Sequence, residues 1–80
     1  MQIGIRLFAS YADALGTRTI HVTLPDGARV RDALEYVRAL PGAEQLPPAP
    51  LTAVNAEYAP LDHALAPGDE VALIPPVAGG

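Results

Sequence analysis

Along the first eight residues apolar and polar side chains alternate, with Ile3, Ile5 and Leu7 on one side and Gln2, Gly4 and Arg6 on the other. This is the period of a half-buried strand and predicts a first strand from Gln2 to Phe8. Ser10 and Asp13 stand at capping-box spacing, and Gly16 stands where a left-handed residue would end a helix, so a short helix is expected through Leu15. Alternation returns from Arg18 to Leu24, with Ile20, Val22 and Leu24 set against Thr19, His21 and Thr23, until Pro25-Asp26-Gly27 turns the chain. From Arg29 to Leu40 the period changes. Val30, Ala33, Leu34, Val37 and Leu40 recur at helical spacing, while Arg31, Asp32, Glu35 and Arg38 form a solvated face, so the main helix lies here and ends at Pro41-Gly42.

Four prolines between residues 41 and 50 leave little room for regular structure, and an extended surface loop is expected. Leu51 to Ala56 regains strand character, Asn55-Ala56-Glu57-Tyr58 reads as a turn into an irregular stretch through Ala66, and Pro67-Gly68-Asp69 turns again. Glu70 to Pro75 is apolar without alternation at Val71, Ala72, Leu73 and Ile74, the signature of a strand covered on both faces or docked against a partner, and it is placed centrally. Strand, strand, helix, strand, strand around one amphipathic helix describes an α+β roll of the β-grasp kind, a mixed sheet packed on one main helix. Residues 1–75 are expected to form this domain and residues 76–80 a flexible Gly-Gly tail.

Eighty residues, half of them apolar, suffice for one core. No apolar run is long enough to cross a bilayer and no signal-like segment opens the chain, which points to a soluble, cytoplasmic protein. The sequence has no cysteine, and His21 and His63 are far apart, so no metal site is expected. A net charge of -4 with five arginines and no lysine lacks the basic stripe of a nucleic-acid binder and suits a protein partner with a basic surface. With no Cys, no Lys and one Ser, side-chain nucleophilic catalysis has almost no candidates. His21, His63, Asp32 and Glu35 are read as solvated. No bound cofactor is expected.

The chemistry therefore points to the terminus. Pro75-Pro76 fixes two φ angles and directs the chain stiffly outward, and the six residues from Pro75 reach roughly 20 Å. Pro75, Pro76, Val77, Ala78 and Gly79 carry no side chain larger than valine, so such a tail can thread a narrow channel in a partner and deliver the Gly80 carboxylate. That carboxylate, ionised at neutral pH, can attack the α-phosphate of ATP inside an activating enzyme and give an acyl-adenylate. Sulfur delivered to the activated carbonyl would give a thiocarboxylate, making the chain a co-substrate. Ala72 and Ile74 would face away from the helix if Val71 and Leu73 face it, and are expected to dock the partner beside the tail.

Val54-Asn55-Ala56-Glu57-Tyr58, Pro67-Gly68-Asp69-Glu70-Val71 and above all Ile74-Pro75-Pro76-Val77-Ala78-Gly79-Gly80 resemble the MoaD family, the small sulfur-carrier subunits of molybdopterin synthase within the ThiS/MoaD superfamily. The resemblance implies a ubiquitin-like β-grasp fold and adenylation of Gly80, with ATP, by a MoeB-type adenylyltransferase. It further implies sulfuration to a thiocarboxylate and insertion of the tail into a MoaE-type large subunit. There sulfur would pass to cyclic pyranopterin monophosphate, for molybdenum cofactor biosynthesis. Two positions depart from the pattern: Ala56 stands where relatives often have Gly, and Arg29 where a Ser or Thr cap is common, at a cost of about 1 kcal/mol. The alternatives are a carrier for thiamine thiazole or tRNA thiolation, a ubiquitin-like protein modifier, and a plain binding domain with an inert terminus.

Overall fold

The computed structural model describes residues 1–76. In chain order it forms β1 (Gln2–Leu7), α1 (Ala9–Leu15), β2 (Thr19–Thr23), α2 (Val30–Arg38), a 3-10 turn (Ala43–Gln45), β3 (Leu51–Val54), β4 (Glu57–Tyr58) and β5 (Glu70–Ile74). The strands make one mixed sheet in the order β2-β1-β5-β3-β4. β5 is central as expected, parallel to β1 and antiparallel to β3. One face of this sheet carries Ile3, Ile5, Leu7, Val71 and Leu73 into a core closed by Val30, Ala33, Leu34 and Val37 of α2, as the two periods require. The expected α+β β-grasp architecture is what forms. No helix among the described residues is long and apolar enough to cross a membrane.

Ser10 and Asp13 do not form the expected capping box. Phe8 is still extended as it leaves β1 (φ -126°, ψ 152°), so the chain enters α1 one residue before Ser10. Phe8 becomes the cap position without a side-chain bond, and its carbonyl accepts from the N–H groups of Tyr11 (3.0 Å) and Ala12 (3.3 Å). Gly16 ends α1 in the left-handed region (φ 73°), as its position predicts.

The absent cap at Arg29 is offset by tertiary structure. The Arg29 side chain does not cap α2, but the Val30 and Arg31 N–H groups donate to the carbonyls of His63 (3.0 Å) and Leu61 (2.8 Å). The Asp32 carboxylate accepts from the Arg29 N–H at 2.7 Å, and the Arg29 guanidinium donates to the Asp62 carbonyl at 2.7 Å. The 61–63 segment thus satisfies helix donors that a Ser or Thr would otherwise meet.

The proline-rich segment is more than a surface loop. Its 3-10 turn buries Ala43, and Leu46 and Pro50 are buried after it. Arg38 at the end of α2 donates to the carbonyls of Leu46 (3.4 Å) and Pro47, fastening the segment to the helix. Gly42 (φ 94°) is needed there, because a Cβ would collide with the Ala14 carbonyl oxygen of α1. The turn expected over Asn55-Ala56-Glu57-Tyr58 is tighter than that: only Asn55 and Ala56 turn, and Glu57–Tyr58 returns as β4, pairing Val54 with Glu57 and Ala53 with Tyr58.

Candidate functional site

Register decides what the uncovered face of the sheet displays, since paired residues project to the same side. Arg6 pairs with Ala72, Ala72 with Ala53, and Ala53 with Tyr58, which makes one row across four strands. In the next row Ile74 pairs with Leu51, and Phe8 continues β1 in the same phase as Arg6. The Arg6 guanidinium lies 5.6 Å above the Phe8 ring and 4.0 Å from the Glu70 carboxylate, so both flank one surface.

Ala72 and Ile74 do face away from the helices. They are half-buried, while their strand neighbours Val71 and Leu73 are wholly buried. Three residues join them that the sequence reading did not single out: Phe8 (41% exposed), Leu51 (50%) and Tyr58 (75%). Each is an apolar or aromatic residue in the outward phase of a strand, a signal visible in the sequence once strand ends and register are known. The resulting apolar area adjoins Pro75 and Pro76, the root of the tail.

Beside that root lies a groove of about 300 Å³ between Tyr11, Pro47, Pro50, Leu51, Ile74 and Pro76. Tyr11 is 4% exposed and its hydroxyl has no hydrogen-bond partner among the described residues. Burial pushes its pKa up, with the Arg38 charge opposing. A neutral phenol fixed in this wall is inert packing, unsuited to acid-base work at neutral pH.

At the opposite end of β5, Asn55 and Asp69 tie the strand ends together. The Asn55 amide donates to Asp69 Oδ1 at 3.0 Å, Asn55 Oδ1 accepts from the Glu70 N–H at 3.0 Å, and Asp69 Oδ2 accepts from the Ala66 N–H at 2.8 Å. These bonds, led by that from Ala66 and followed by that from Asn55, hold the Asp69 carboxyl below its ordinary value; slight burial opposes them and the charge of nearby His63 assists. His21, opposite Gly4 on the uncovered face, and His63 are both exposed. Asp32 is exposed and engaged at the α2 cap, and Glu35 is exposed on the same helix. Among the described residues no group of three or more His, Cys, Asp or Glu could hold a metal ion. Of the expected tail, Pro75 and Pro76 are placed; Val77, Ala78, Gly79 and Gly80 lie outside the described residues.

A mixed sheet on one main helix is the fold of solved structures similar to this chain. The ThiS family model matches residues 5–80. The chain belongs to the ThiS family. A molybdopterin synthase sulfur carrier subunit from Chlamydomonas reinhardtii is 39% identical over 83 residues, covering 100% of both chains. Small archaeal modifier protein 1 from Haloferax volcanii is 40% identical over 84 residues, covering 94% of this ThiS-family chain and 97% of its own length. The crystal structure of SAMP1 from Haloferax volcanii superposes with a TM-score of 0.87 at 38% identity, with 100% of each chain covered.

Proposed function

We propose that this chain is a sulfur carrier for molybdenum cofactor biosynthesis, the small subunit of a molybdopterin synthase, with Gly80 as its working group. The observation that carries the reading is the position of the tail root: the central strand β5 runs into Pro75-Pro76 where Phe8, Leu51 and Ile74 leave apolar surface uncovered. A partner that covers this surface receives the tail in a fixed direction, so the entropy of aligning Gly80 is met by docking remote from the reacting carbonyl. The name of the Chlamydomonas reinhardtii relative supports the pterin route.

Activation begins when the Gly80 carboxylate attacks the α-phosphorus of ATP in a MoeB-type adenylyltransferase, and pyrophosphate departs. Sulfide, supplied by the sulfur donor, then attacks the glycyl carbonyl carbon, AMP leaves with the bonding pair, the thiol proton passes to solvent, and a thiocarboxylate remains. The sulfur is spent on cyclic pyranopterin monophosphate inside a MoaE-type large subunit. The chain supplies the carrier and the docking surface, and the catalytic groups belong to its partners. A second reading, conjugation of Gly80 to lysines of other proteins, is favoured by the name of the Haloferax volcanii modifier relative.

The test is to incubate the purified chain with ATP, a sulfur donor and a MoeB-type enzyme, and to read intact and fragment masses. Oxygen-to-sulfur exchange confined to Gly80 is expected, followed by conversion of the pterin precursor when the large subunit is added. A competent enzyme that leaves Gly80 unchanged overturns the sulfur-carrier reading, and a thiocarboxylate that the pterin precursor does not consume overturns the pterin route.

A further inference from the structure

Burial of apolar area is non-directional, so the surface beside the tail root rewards many orientations of a partner alike. A charged contact at its rim supplies the direction that the patch lacks. The chain carries five arginines against a net charge of -4. Arg29 and Arg38 spend their guanidinium groups on the backbone carbonyls of Asp62, Leu46 and Pro47, and Arg31 lies exposed on α2. The other two, Arg6 and Arg18, line one recess of about 280 Å³, with Phe8, Ala9 and Ala12 among its walls. It lies where β1 leaves the sheet and β2 enters it, and the pairing of Leu7 with Leu73 sets it level with the exit of β5 into the tail.

Both guanidinium groups keep donors to spare. The Phe8 ring, 5.6 Å from the Arg6 guanidinium, occupies one of its flat faces and leaves its N–H edge to an acceptor. Among the described residues the one carboxylate within ion-pair reach of either arginine is Glu70, 4.0 Å from Arg6 with both side chains half-exposed, so two cations are met by one loosely held anion. Ala9, in the wall between them, has φ 47°, a left-handed conformation unfavourable for an L residue. Such outliers persist where their surroundings fix them, and here the bend sets Phe8 at the rim.

We propose that this recess receives an acidic side chain, aspartate or glutamate, of the partner that covers the uncovered face, and that the contact fixes the partner's rotation about the tail root. A carboxylate matches the paired N–H donors of a guanidinium. It also meets a need created by docking, because closure over Phe8 takes Arg6 partly out of water, where a charge requires a partner. The inference rests on the docking reading given above and adds the chemistry of one contact: a partner complementary overall to an acidic chain is itself acidic at this point.

The test measures the affinity and association rate of a MoaE-type large subunit for the native chain, Arg6→Gln, Arg18→Gln and the double variant, at low and at high salt. Both side chains are exposed, so the urea midpoint should hold. Each single variant should lose about threefold in affinity and the double variant about tenfold, chiefly through the association rate and with a weaker salt dependence. Arg18→Glu should bind more weakly still, and reversal of one acidic residue of the large subunit to lysine, scanned position by position, should restore it. Native affinity and salt dependence in the double variant overturn the inference, as does a loss that no reversal in the large subunit restores. A second measurement needs no protein partner. Acetate titrated into the full chain, against chloride at equal ionic strength, should shift the backbone amide resonances of Phe8, Ala9 and Arg18 in the native chain and not in the double variant. Shifts that are absent, or equal in the two, overturn the recess as a carboxylate site. A large subunit that fails to bind the native chain, while acetate still finds the recess, strikes the docking reading and leaves the carboxylate site standing.

Discussion

The two faces of β5 belong to one five-residue strand, yet they answer to different constraints. Val71 and Leu73 are wholly buried beneath the helices, whereas Ala72 and Ile74 point to the uncovered side with Leu51 and Phe8 beside them. A sequence selected for folding alone would place polar residues on the second face, since an antiparallel or mixed sheet with one wet side favours alternation. The unbroken apolar run therefore serves a core on one side and, in the proposed function, supplies on the other the surface that a partner would complete.

The largest effect should come from the covered side. Leu73→Ala removes a fully buried side chain at the centre of the sheet and should cost about 2–5 kcal/mol, read from the shift of a urea transition. That is a large share of the roughly 5–15 kcal/mol typical of a small domain. Any loss of partner binding should then follow the folded fraction. Binding that falls further than folding would mean that the two faces are coupled, and the division drawn between them would fail.

The converse experiment is Ile74→Asp. The residue is half-exposed on the uncovered face, so the urea transition should move by less than about 0.5 kcal/mol. Affinity for the large subunit should fall by about tenfold or more, because an uncompensated charge would be buried where the partner closes over the apolar surface. Unchanged affinity in a titration would remove this face from the docking surface and leave recognition to the tail.

How far this division could be read in the sequence follows from what sets each face. Period alone located β1, β2 and α2 and the inward set Ile3, Ile5, Val22, Val30 and Leu34, because burial on one side imposes it. Apolar content alone placed β5 at the centre and offered Ala72 and Ile74 as outward residues. Phe8, Leu51 and Tyr58 were illegible as members of the same surface, since only the pairings Ile74–Leu51 and Ala53–Tyr58 bring them together across distant segments. The capping box of α1 failed for a related reason: Ser10 has the right spacing but the chain turns at Phe8, and what replaces the missing Ser or Thr at α2, carbonyls from the distant 61–63 segment, was equally out of view. Local rules could not see either.

At the far end of the sheet from the tail, Asp69 offers a smaller effect that should leave both faces alone. Its carboxyl titrates below the ordinary value near 3.8 because the Ala66 N–H and then the Asn55 amide bind the ionised form. A depressed folded pKa means that its contribution is fully present above the unfolded value and is lost as pH falls through the lower folded one. Stability should therefore decline below about pH 4 in part through this group, and Asp69→Asn should flatten that acid limb. At neutral pH the substitution should cost about 1 kcal/mol for the lost charge-assisted bonds. Partner affinity at neutral pH should be unaffected, and a change there would extend the docking surface to this end of β5.

The smallest effect belongs to the turn that brings Tyr58 onto the uncovered face. Asn55 and Ala56 both have positive φ, 50° and 70°, the pattern of the two-residue type I′ hairpin between β3 and β4. Asn tolerates this region through its short polar side chain, which here is also bonded to Asp69 and Glu70. Alanine has no such compensation, and its Cβ costs roughly 1–2 kcal/mol in the left-handed region. Ala56→Gly relieves that strain and returns roughly 0.4–1 kcal/mol to the unfolded chain as entropy, leaving a net gain of about 0.5 kcal/mol. Thermal unfolding should rise by about 2–4 °C. Binding of the large subunit should stay constant, because the hairpin keeps its register and Tyr58 its place. A gain in stability with weaker binding would mean that the strained turn tunes the uncovered face, and an unchanged or lower midpoint would mean that Ala56 carries no strain.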